Sequence, residues 1–183
     1  VISGGTATFS KIAFSNRAAG KLILADGADV LLDNKDVTGQ NRLEFPNSTT
    51  PGAELHITGG AKLNFVSPTA NPAVYFGRDA MQNSTIVRID NGGVWDDSGE
   101  GVGNLLVYIS RQNSSADVYV GEGGTFRAWR VKLGSGGDAS VSNHACIHQT
   151  GGLVRMCQGG TDNEYGYVEL ATDGAKNKNC CYY

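Results

Sequence analysis

A repeat of about 31 residues constrains the fold of this chain more than any other feature of its sequence. Five segments share one plan, in which a short alternating strand is followed by a glycine-containing corner and a second short strand. The first strands centre on apolar residues 33, 32, 31 and 29 positions apart, namely Leu22, Leu55, Val87, Val118 and Ile147. The step from these residues to the second strand is 8, 8, 7, 8 and 7 residues. A corner of nearly constant length at a regular period is typical of stacked repeats.

Three strands in each repeat predict a solenoid with three sides. A third strand follows in most repeats, for example at Leu43-Glu44-Phe45 and Val74-Tyr75-Phe76. One coil cannot bury its own apolar face, so coils must stack and share a core. We therefore predict an all-β, three-sided parallel β-solenoid (a right-handed β-helix) of about five coils of 29–33 residues, with residues 1–14 as part of one more coil. The alternative is an antiparallel sandwich or barrel, but the Asn-Gly and Asp-Gly hairpin turns that it needs are few.

The solenoid is expected to occupy residues 1–171, and residues 172–183 are assigned to a polar C-terminal tail or cap that contains cysteine and tyrosine. We expect the N-terminal end to be open, with apolar residues such as Phe9 and Phe14 uncovered. The C-terminal end is expected to be partly closed. An uncovered coil exposes unpaired backbone groups, which invite a further strand to add.

The alternation of side chains along each strand predicts the core, because successive residues of a strand point to opposite faces. Eight apolar residues of the first strands are expected inside, in two columns: Leu22, Leu24, Leu55, Ile57, Val87, Ile89, Val118 and Val120. Five aromatic residues are interpreted as facing outward: Tyr75, Trp95, Tyr108, Tyr119 and Trp129. If they were aligned, these rings would suit a surface carbohydrate.

Composition and charge exclude several functional classes. Lys and Arg number 15 against 18 Asp and Glu, which is not the balance of a nucleic-acid-binding protein. Glycine contributes 26 residues and charged residues only 18 %, as expected for short strands and turns rather than for a helical bundle. No apolar run approaches the ~18 residues of a membrane span. We therefore predict neither a nucleic-acid partner nor membrane insertion.

All four cysteines lie near the C-terminal end of the sequence, at Cys146, Cys157, Cys180 and Cys181. An even number without a Cys-x-x-Cys spacing favours disulfides and an oxidising compartment. Cys146 and Cys157 bracket one strand–corner–strand unit, and a corner that folds back would bring them within disulfide range, so we predict a bridge between them. Cys180 and Cys181 are adjacent and do not pair easily with each other. One of them is therefore expected to pair upstream or with another molecule.

Several corner segments share a sequence motif in which glycines lie between apolar residues, at 57–63, 120–126 and 149–154. Residues 164–170 have a similar pattern. These motifs resemble the repeats of bacterial autotransporter passengers and related secreted β-helix proteins. The resemblance covers roughly residues 1–171 and implies a secreted or surface-displayed stalk, adhesin or scaffold. The chain departs from autotransporter passengers in having four cysteines.

Two carboxylates and two basic residues are the candidates for catalysis. Asp96 and Asp97 follow Trp95, and paired carboxylates beside an aromatic ring are what glycosidic cleavage needs. Arg130 and Lys132 lie about one coil later and resemble the basic triplet of polygalacturonases, although the other motifs of that family are missing. These four residues represent the enzymatic alternative to a chain without catalytic residues.

The histidines that flank Cys146 are the candidates for a metal site. His144 and His148 share one face of a strand, but residues four apart span ~13 Å, which is too far for one ion unless the chain bends. We therefore predict neither a metal site nor a cofactor.

The repeat and the missing catalytic motifs together predict an extracellular or cell-surface structural or adhesive solenoid segment, scaffold-like or filament-forming and without catalytic activity. The candidate partners are other copies of the chain, the rest of a longer solenoid and surface carbohydrate. The alternative function is that of a polysaccharide lyase or glycoside hydrolase on a pectin-lyase-like β-helix.

Overall fold

The fold is known from a computed structural model, which describes residues 1–14, 19–33, 41–45, 52–66, 73–77, 84–97, 105–111, 114–135, 142–156, 167–170 and 177–183. These residues form strands, turns and bends and no helix. In chain order the strands are β1 (Ile2–Ser3), β2 (Thr6–Phe9), β3 (Ile12–Ala13), β4 (Lys21–Ala25), β5 (Asp29–Asp33), β6 (Asn41–Glu44), β7 (Glu54–Ile57), β8 (Lys62–Val66), β9 (Ala73–Phe76), β10 (Thr85–Ile89), β11 (Val94–Asp96), β12 (Leu106–Arg111), β13 (Ser115–Val120), β14 (Thr125–Ala128), β15 (Arg130–Ser135), β16 (Ser142–Gln149), β17 (Leu153–Met156), β18 (Tyr167–Leu170) and β19 (Asn177–Tyr182). A search of these stretches for a long apolar helix that could cross a membrane finds none.

The strands recur in a fixed order and build three sheets. The first sheet is β1-β4-β7-β10-β13-β16-β19, the second is β2-β5-β8-β11-β14-β17, and the third is β3-β6-β9-β12-β15-β18. Every pair of neighbouring strands is parallel, as between β10 and β13, β11 and β14, and β12 and β15. Each strand therefore pairs with the equivalent strand one coil away. The predicted all-β, three-sided parallel solenoid is confirmed.

The described strands contain the five predicted coils, and the part of a further coil that was predicted at the N-terminal end is a complete coil. Residues 1–14 supply β1, β2 and β3, one strand for each sheet, so they form a coil of their own. Residues 177–182, within the range assigned to a tail or cap, form β19 and pair with β16. The described strands thus make six coils and one additional strand in the first sheet.

The register of the first sheet aligns the residues that define the repeat. Leu22 lies beside Leu55, and Leu55 lies beside Val87. Val118 continues the row next to Val87, and Ile147 follows next to Val118. The small differences in repeat length are therefore absorbed between the strands, and the apolar column stays in register from coil to coil.

The predicted core is buried. Seven of the eight residues expected inside have no exposed surface: Leu24, Leu55, Ile57, Val87, Ile89, Val118 and Val120. The eighth, Leu22, is half-buried and packs against the same core. Burial of a complete aliphatic side chain is worth about 1.5–3 kcal/mol, so a continuous column of this kind supplies much of the driving force for folding.

Aromatic rings run through the core as a second continuous feature. Phe45 lies 5.2 Å from Phe76, and Phe76 lies 5.2 Å from Trp95, with near-perpendicular rings in both pairs. Trp95 also contacts Phe65 at 4.7 Å and Phe126 at 5.8 Å between ring centroids. Edge-to-face and offset contacts of this kind add to the burial of the rings themselves.

The expectation that Trp95 faces outward is wrong. Trp95 has no exposed surface, and it aligns with Leu63 and Phe126, two residues of the core. The core step from Val87 is therefore 8 residues, to Trp95, rather than 7. Because side chains alternate along a strand, a shift of one residue moves the ring from one face to the other.

The corner after β10 shows why the repeat requires glycine. Asn91 and Gly92 both have positive φ values, of 48° and 81°. Gly93 serves a different purpose, since a Cβ atom there would lie 2.1 Å from the carbonyl oxygen of Ile57 in the preceding coil. Such an approach is impossible for any other residue without a shift of the backbone, so the glycine lets adjacent corners stack.

Candidate functional site

Asp97, one of the two candidate catalytic carboxylates, is sealed inside the protein. It has no exposed surface, it accepts a hydrogen bond of 2.7 Å from the backbone N–H of Trp129, and it accepts one of 3.2 Å from Trp95 Nε1. Burial raises the pKa of Asp97 to about 8, against the opposing effect of these two hydrogen bonds. A carboxyl group without solvent contact cannot reach a polysaccharide, so its place in the fold is structural.

The other three candidates do not form a catalytic group with Asp97. Asp96 faces outward and pairs with Arg127 of the next coil, at 3.2 Å between carboxylate oxygen and guanidinium nitrogen. Arg130 lies with its guanidinium carbon 4.0 Å from the centre of the Trp129 ring. Lys132 aligns with Tyr108 in the third sheet. The described residues therefore place Asp97 in the interior, Asp96 on the second sheet, and Arg130 and Lys132 together on the third sheet.

Two stacked rows of planar groups lie on the outer surface. On the third sheet, Tyr75 and Tyr108 stack at 4.9 Å between centroids. On the first sheet, Tyr119 stacks on His148 at 4.5 Å, and His148 stacks on Tyr183 at 5.5 Å. Rings that stack on each other offer solvent mainly their edges, whereas sugar stacking needs a free face. Together with the burial of Trp95 and Trp129, this leaves no broad aromatic platform among the described residues, and binding of surface carbohydrate stays a prediction.

Two histidines and an aspartate converge on the outer face of the first sheet. Asp117 on β13 lies directly beside Cys146 on β16, and His144 and His148 flank Cys146 along that strand. Each imidazole places Nε2 at 3.0 Å from the same oxygen of Asp117, Oδ1. The estimate of ~13 Å measures the spacing along the backbone, but both side chains lean toward a residue on the neighbouring coil, and their nitrogens approach one point.

The second oxygen of Asp117 is held separately. Ser84 Oγ donates a hydrogen bond of 2.9 Å to Oδ2. Burial by itself would raise the pKa of Asp117, but hydrogen bonds from His148, Ser84 and His144 outweigh that effect and lower the pKa below its ordinary value. The carboxylate is therefore charged at neutral pH and fixed in orientation. The sequence offered one signal for this cluster, the alternation His144-Ala145-Cys146-Ile147-His148 that puts three residues of metal-ligating types on one face.

The predicted disulfide between Cys146 and Cys157 is not the one that forms. Cys146 pairs with Cys181, with a Cα–Cα distance of 4.6 Å. The two residues are direct neighbours on β16 and β19. Cys180, next to the bridge, points to the core, and its Sγ lies 3.5 Å from the carbonyl oxygen of Leu133. Cys157 lies outside the described residues. The separation of 35 residues between Cys146 and Cys181 is about one coil, which was the signal for the correct partner.

Loss of this disulfide is expected to destabilise the protein by about 4 kcal/mol, the loop-closure value for a separation of 35 residues. The measurement is the free energy of unfolding in urea for the wild type and for the double variant Cys146→Ser, Cys181→Ser. Mass spectrometry of non-reduced peptides gives an independent check. The expected cross-linked peptide joins Cys146 to Cys181, and a peptide joining Cys146 to Cys157 would contradict the structure.

Large apolar side chains are exposed at both ends of the solenoid. Six are exposed among the described residues, and none of the six belongs to a middle coil. Val1 and Phe9 are 83 % and 36 % exposed in the first coil. Those at the other end are Leu153, Val168, Tyr182 and Tyr183. The expected exposure of Phe9 is confirmed, Phe14 is half-buried against the core, and the C-terminal end is less closed than predicted.

In comparisons with known proteins, no family model, no curated protein and no solved structure matches this chain.

Proposed function

We propose that this chain is a structural segment of an extracellular or cell-surface β-solenoid, which acts as a scaffold and lengthens by end-to-end contact with further copies of itself. One observation carries the proposal: the exposed large apolar side chains of the described residues lie in the end coils and not in the middle coils. Burial of apolar surface by a partner would therefore be most favourable at the ends. A binding or catalytic groove along the side of the solenoid would instead place exposed apolar side chains in the middle coils.

Polar side chains on the sides of the solenoid bond to side chains of the neighbouring coils. Lys21 Nζ lies 3.0 Å from Glu54 Oε1, and Arg88 Nε lies 3.4 Å from the same oxygen, so three successive coils are linked through one carboxylate. On the second sheet, Asn64 donates a hydrogen bond of 2.8 Å to Asp29 of the preceding coil. Single pairs at a surface contribute little stability. Repeated from coil to coil, however, they occupy polar groups that a ligand would otherwise use.

A second copy supplies the strands that both ends lack. The edge strands β1, β2 and β3 at one end and β17, β18 and β19 at the other each have one neighbour in their sheet. Such edges present unpaired backbone groups and attract a further strand. Because the two ends are different surfaces on opposite sides of the molecule, a contact between them is heterologous and does not close on itself. Repetition of that contact produces a filament.

Two observations support the proposed location. The Cys146–Cys181 disulfide is of a kind that persists in oxidising surroundings. The glycine-containing corner motifs are similar to those of secreted β-helix proteins and autotransporter passengers, whose repeats serve as stalks and adhesins. An extracellular stalk or scaffold needs stiffness and resistance to unfolding, which a stacked core and coil-to-coil links provide.

End-to-end association is expected to make the mass of the particles rise with protein concentration. Light scattering behind a sizing column, combined with small-angle X-ray scattering, would show growth in length at a constant cross-section. Phe9→Lys and Leu153→Lys, one substitution at each end, are expected to suppress this growth because a charge would enter the apolar contact.

Ile86→Lys is the matched control. Ile86 is a half-buried residue on the outer face of β10, in a middle coil, and it lies between Glu54 and Asp117 of the neighbouring strands. A lysine there should leave association unchanged. A wild-type protein that stays a monodisperse monomer at high concentration would contradict the proposal, and so would growth in cross-section instead of length.

A further inference from the structure

We propose that His144, His148 and Asp117 form a binding site for a divalent transition-metal ion of the Zn²⁺ class. The site is distinct from the apolar ends that carry the proposed assembly. It lies on the outer face of the first sheet and joins two neighbouring strands, with the aspartate on β13 and both histidines on β16.

Two of the three donor–donor distances are already close to those of a coordination sphere. Both Nε2 atoms lie 3.0 Å from Asp117 Oδ1. Ligands at Zn–N and Zn–O distances of ~2.0–2.2 Å are about 3.3 Å apart in a tetrahedral site. The two nitrogens are no more than twice 3.0 Å apart, since they share one oxygen as neighbour. The imidazole rings must therefore turn toward each other to place an ion between the three atoms.

The ligands are held in place by residues around them. Ser84 fixes the far oxygen of Asp117 with its hydrogen bond of 2.9 Å, which leaves Oδ1 directed at the histidines. The ring of His148 is stacked between Tyr119 and Tyr183, with interplanar angles of 9° and 23°. Supporting contacts of this kind orient metal ligands and raise affinity in known sites.

The ligand types select the class of metal. Two imidazoles and one carboxylate suit Zn²⁺, Cu²⁺ or Ni²⁺, whereas Ca²⁺ and Mg²⁺ prefer oxygen ligands throughout. Cys146 Sγ also lies within 4.8 Å of the ligand atoms of Asp117 and His148. Because this sulfur is bonded to Cys181, it is not available as a thiolate, so a water molecule would complete the coordination. The side chains are 38 %, 25 % and 13 % exposed for His144, His148 and Asp117, so an ion can enter from solvent.

Isothermal titration calorimetry with Zn²⁺ alone tests the site. The titration uses the intact chain without thiol reductant, so that Cys146 remains in its disulfide. We expect one ion per chain, and no comparable binding of Mg²⁺ or Ca²⁺. His144→Ala and His148→Ala are each expected to weaken binding by ~100-fold or more, because loss of a supporting residue already costs 10–100-fold in known sites. Ser84→Ala is expected to weaken it by about 10-fold for the same reason.

His56→Ala is the matched control. His56 Nε2 lies 3.0 Å from a carboxylate oxygen of Asp90, so it forms the same kind of His–Asp pair. The other two histidines of the chain bond to Asp117, so no second histidine joins the pair of His56 and Asp90. Its replacement should leave the affinity for Zn²⁺ unchanged. Asp117→Asn, which keeps the shape of the side chain, should abolish binding while circular dichroism shows an intact fold.

Zn²⁺ binding should also raise the melting temperature of the wild type, and not that of Asp117→Asn, because a ligand that binds only the folded state stabilises it. The proposal is overturned if Zn²⁺ does not bind, or if it binds the wild type and the His144→Ala and His148→Ala variants equally.

Discussion

Replacement of Ile57 by aspartate is expected to unfold the protein. Ile57 has no exposed surface and belongs to the central apolar cluster of the solenoid. A carboxylate at that position would have no partner and no water, and burial of such a charge costs several kcal/mol or more. This loss is comparable to the whole stability of a typical domain, about 5–15 kcal/mol.

The same substitution at Ile23 is the control. Ile23 is half-buried, and it aligns with the outward-facing His56, whereas its neighbour Leu24 aligns with Ile57. Ile23→Asp should change the stability by no more than about 1 kcal/mol, as surface substitutions usually do. Far-ultraviolet circular dichroism and thermal melting would compare the two variants. A folded Ile57→Asp protein with a normal melting temperature would show that the register of the first sheet is wrong.

The stability of the protein is expected to fall as the pH rises from about 4 to about 8, through the contribution of Asp97. Its carboxyl group is completely buried, and its pKa is raised from 3.8 to about 8 in the folded state. The unfolded chain releases this proton near pH 4, while the folded chain keeps it until about pH 8. The unfolded state is therefore favoured progressively across that interval.

The expected loss is about 6 kcal/mol over the whole interval, since one pH unit corresponds to about 1.4 kcal/mol for one proton. The contribution is fully present below pH 4 and absent above pH 8. Asp90 and Asp117, whose pKa values are lowered, act in the opposite sense, because their stabilising contribution is lost as the pH falls through their folded-state pKa values. A comparison of variants at each pH separates the two effects.

Asp97→Asn removes the titrating group and keeps an oxygen for the backbone N–H of Trp129. Above pH 8 this variant should be several kcal/mol more stable than the wild type. Below pH 4 it should be less stable by about 1 kcal/mol, because the amide nitrogen cannot accept the hydrogen bond from Trp95 Nε1. Asp96→Asn, at an outward position, should not reproduce this reversal. Parallel curves of stability against pH for wild type and Asp97→Asn would show that Asp97 does not retain its proton in the folded state.

The sequence predicted most of the fold because the solenoid is a periodic structure. Residues such as Leu55, Val87 and Val118 recur at nearly constant intervals, and each must pair with its equivalent one coil away. Local alternation then determines which side chains point inward. The prediction for Trp95 was wrong because it depended on the length of one corner, where an error of a single residue reverses the face of the strand.

The candidate sites were harder to predict because they join residues from different coils. The strand–corner–strand unit predicts Cys157 as the partner of Cys146, whereas the actual partner, Cys181, lies one coil further on. The spacing of His144 and His148 along their own strand argues against a shared ligand, whereas Asp117 of the preceding coil lies within reach of both side chains. In a parallel solenoid the close neighbours of a surface residue lie about 30 residues away in the sequence. The repeat length therefore predicts which surface residues come together, just as it predicts the core.

Electron microscopy of the purified chain at increasing concentration is the most direct test of the proposed end-to-end scaffold. One molecule has seven strands in its longest sheet, which corresponds to about 3 nm along the axis at the usual spacing between strands. We expect unbranched rods of one uniform width whose lengths increase with concentration, and we expect Phe9→Lys and Leu153→Lys to leave only short particles. Particles that remain one molecule long at every concentration, or that associate side by side, would contradict this account.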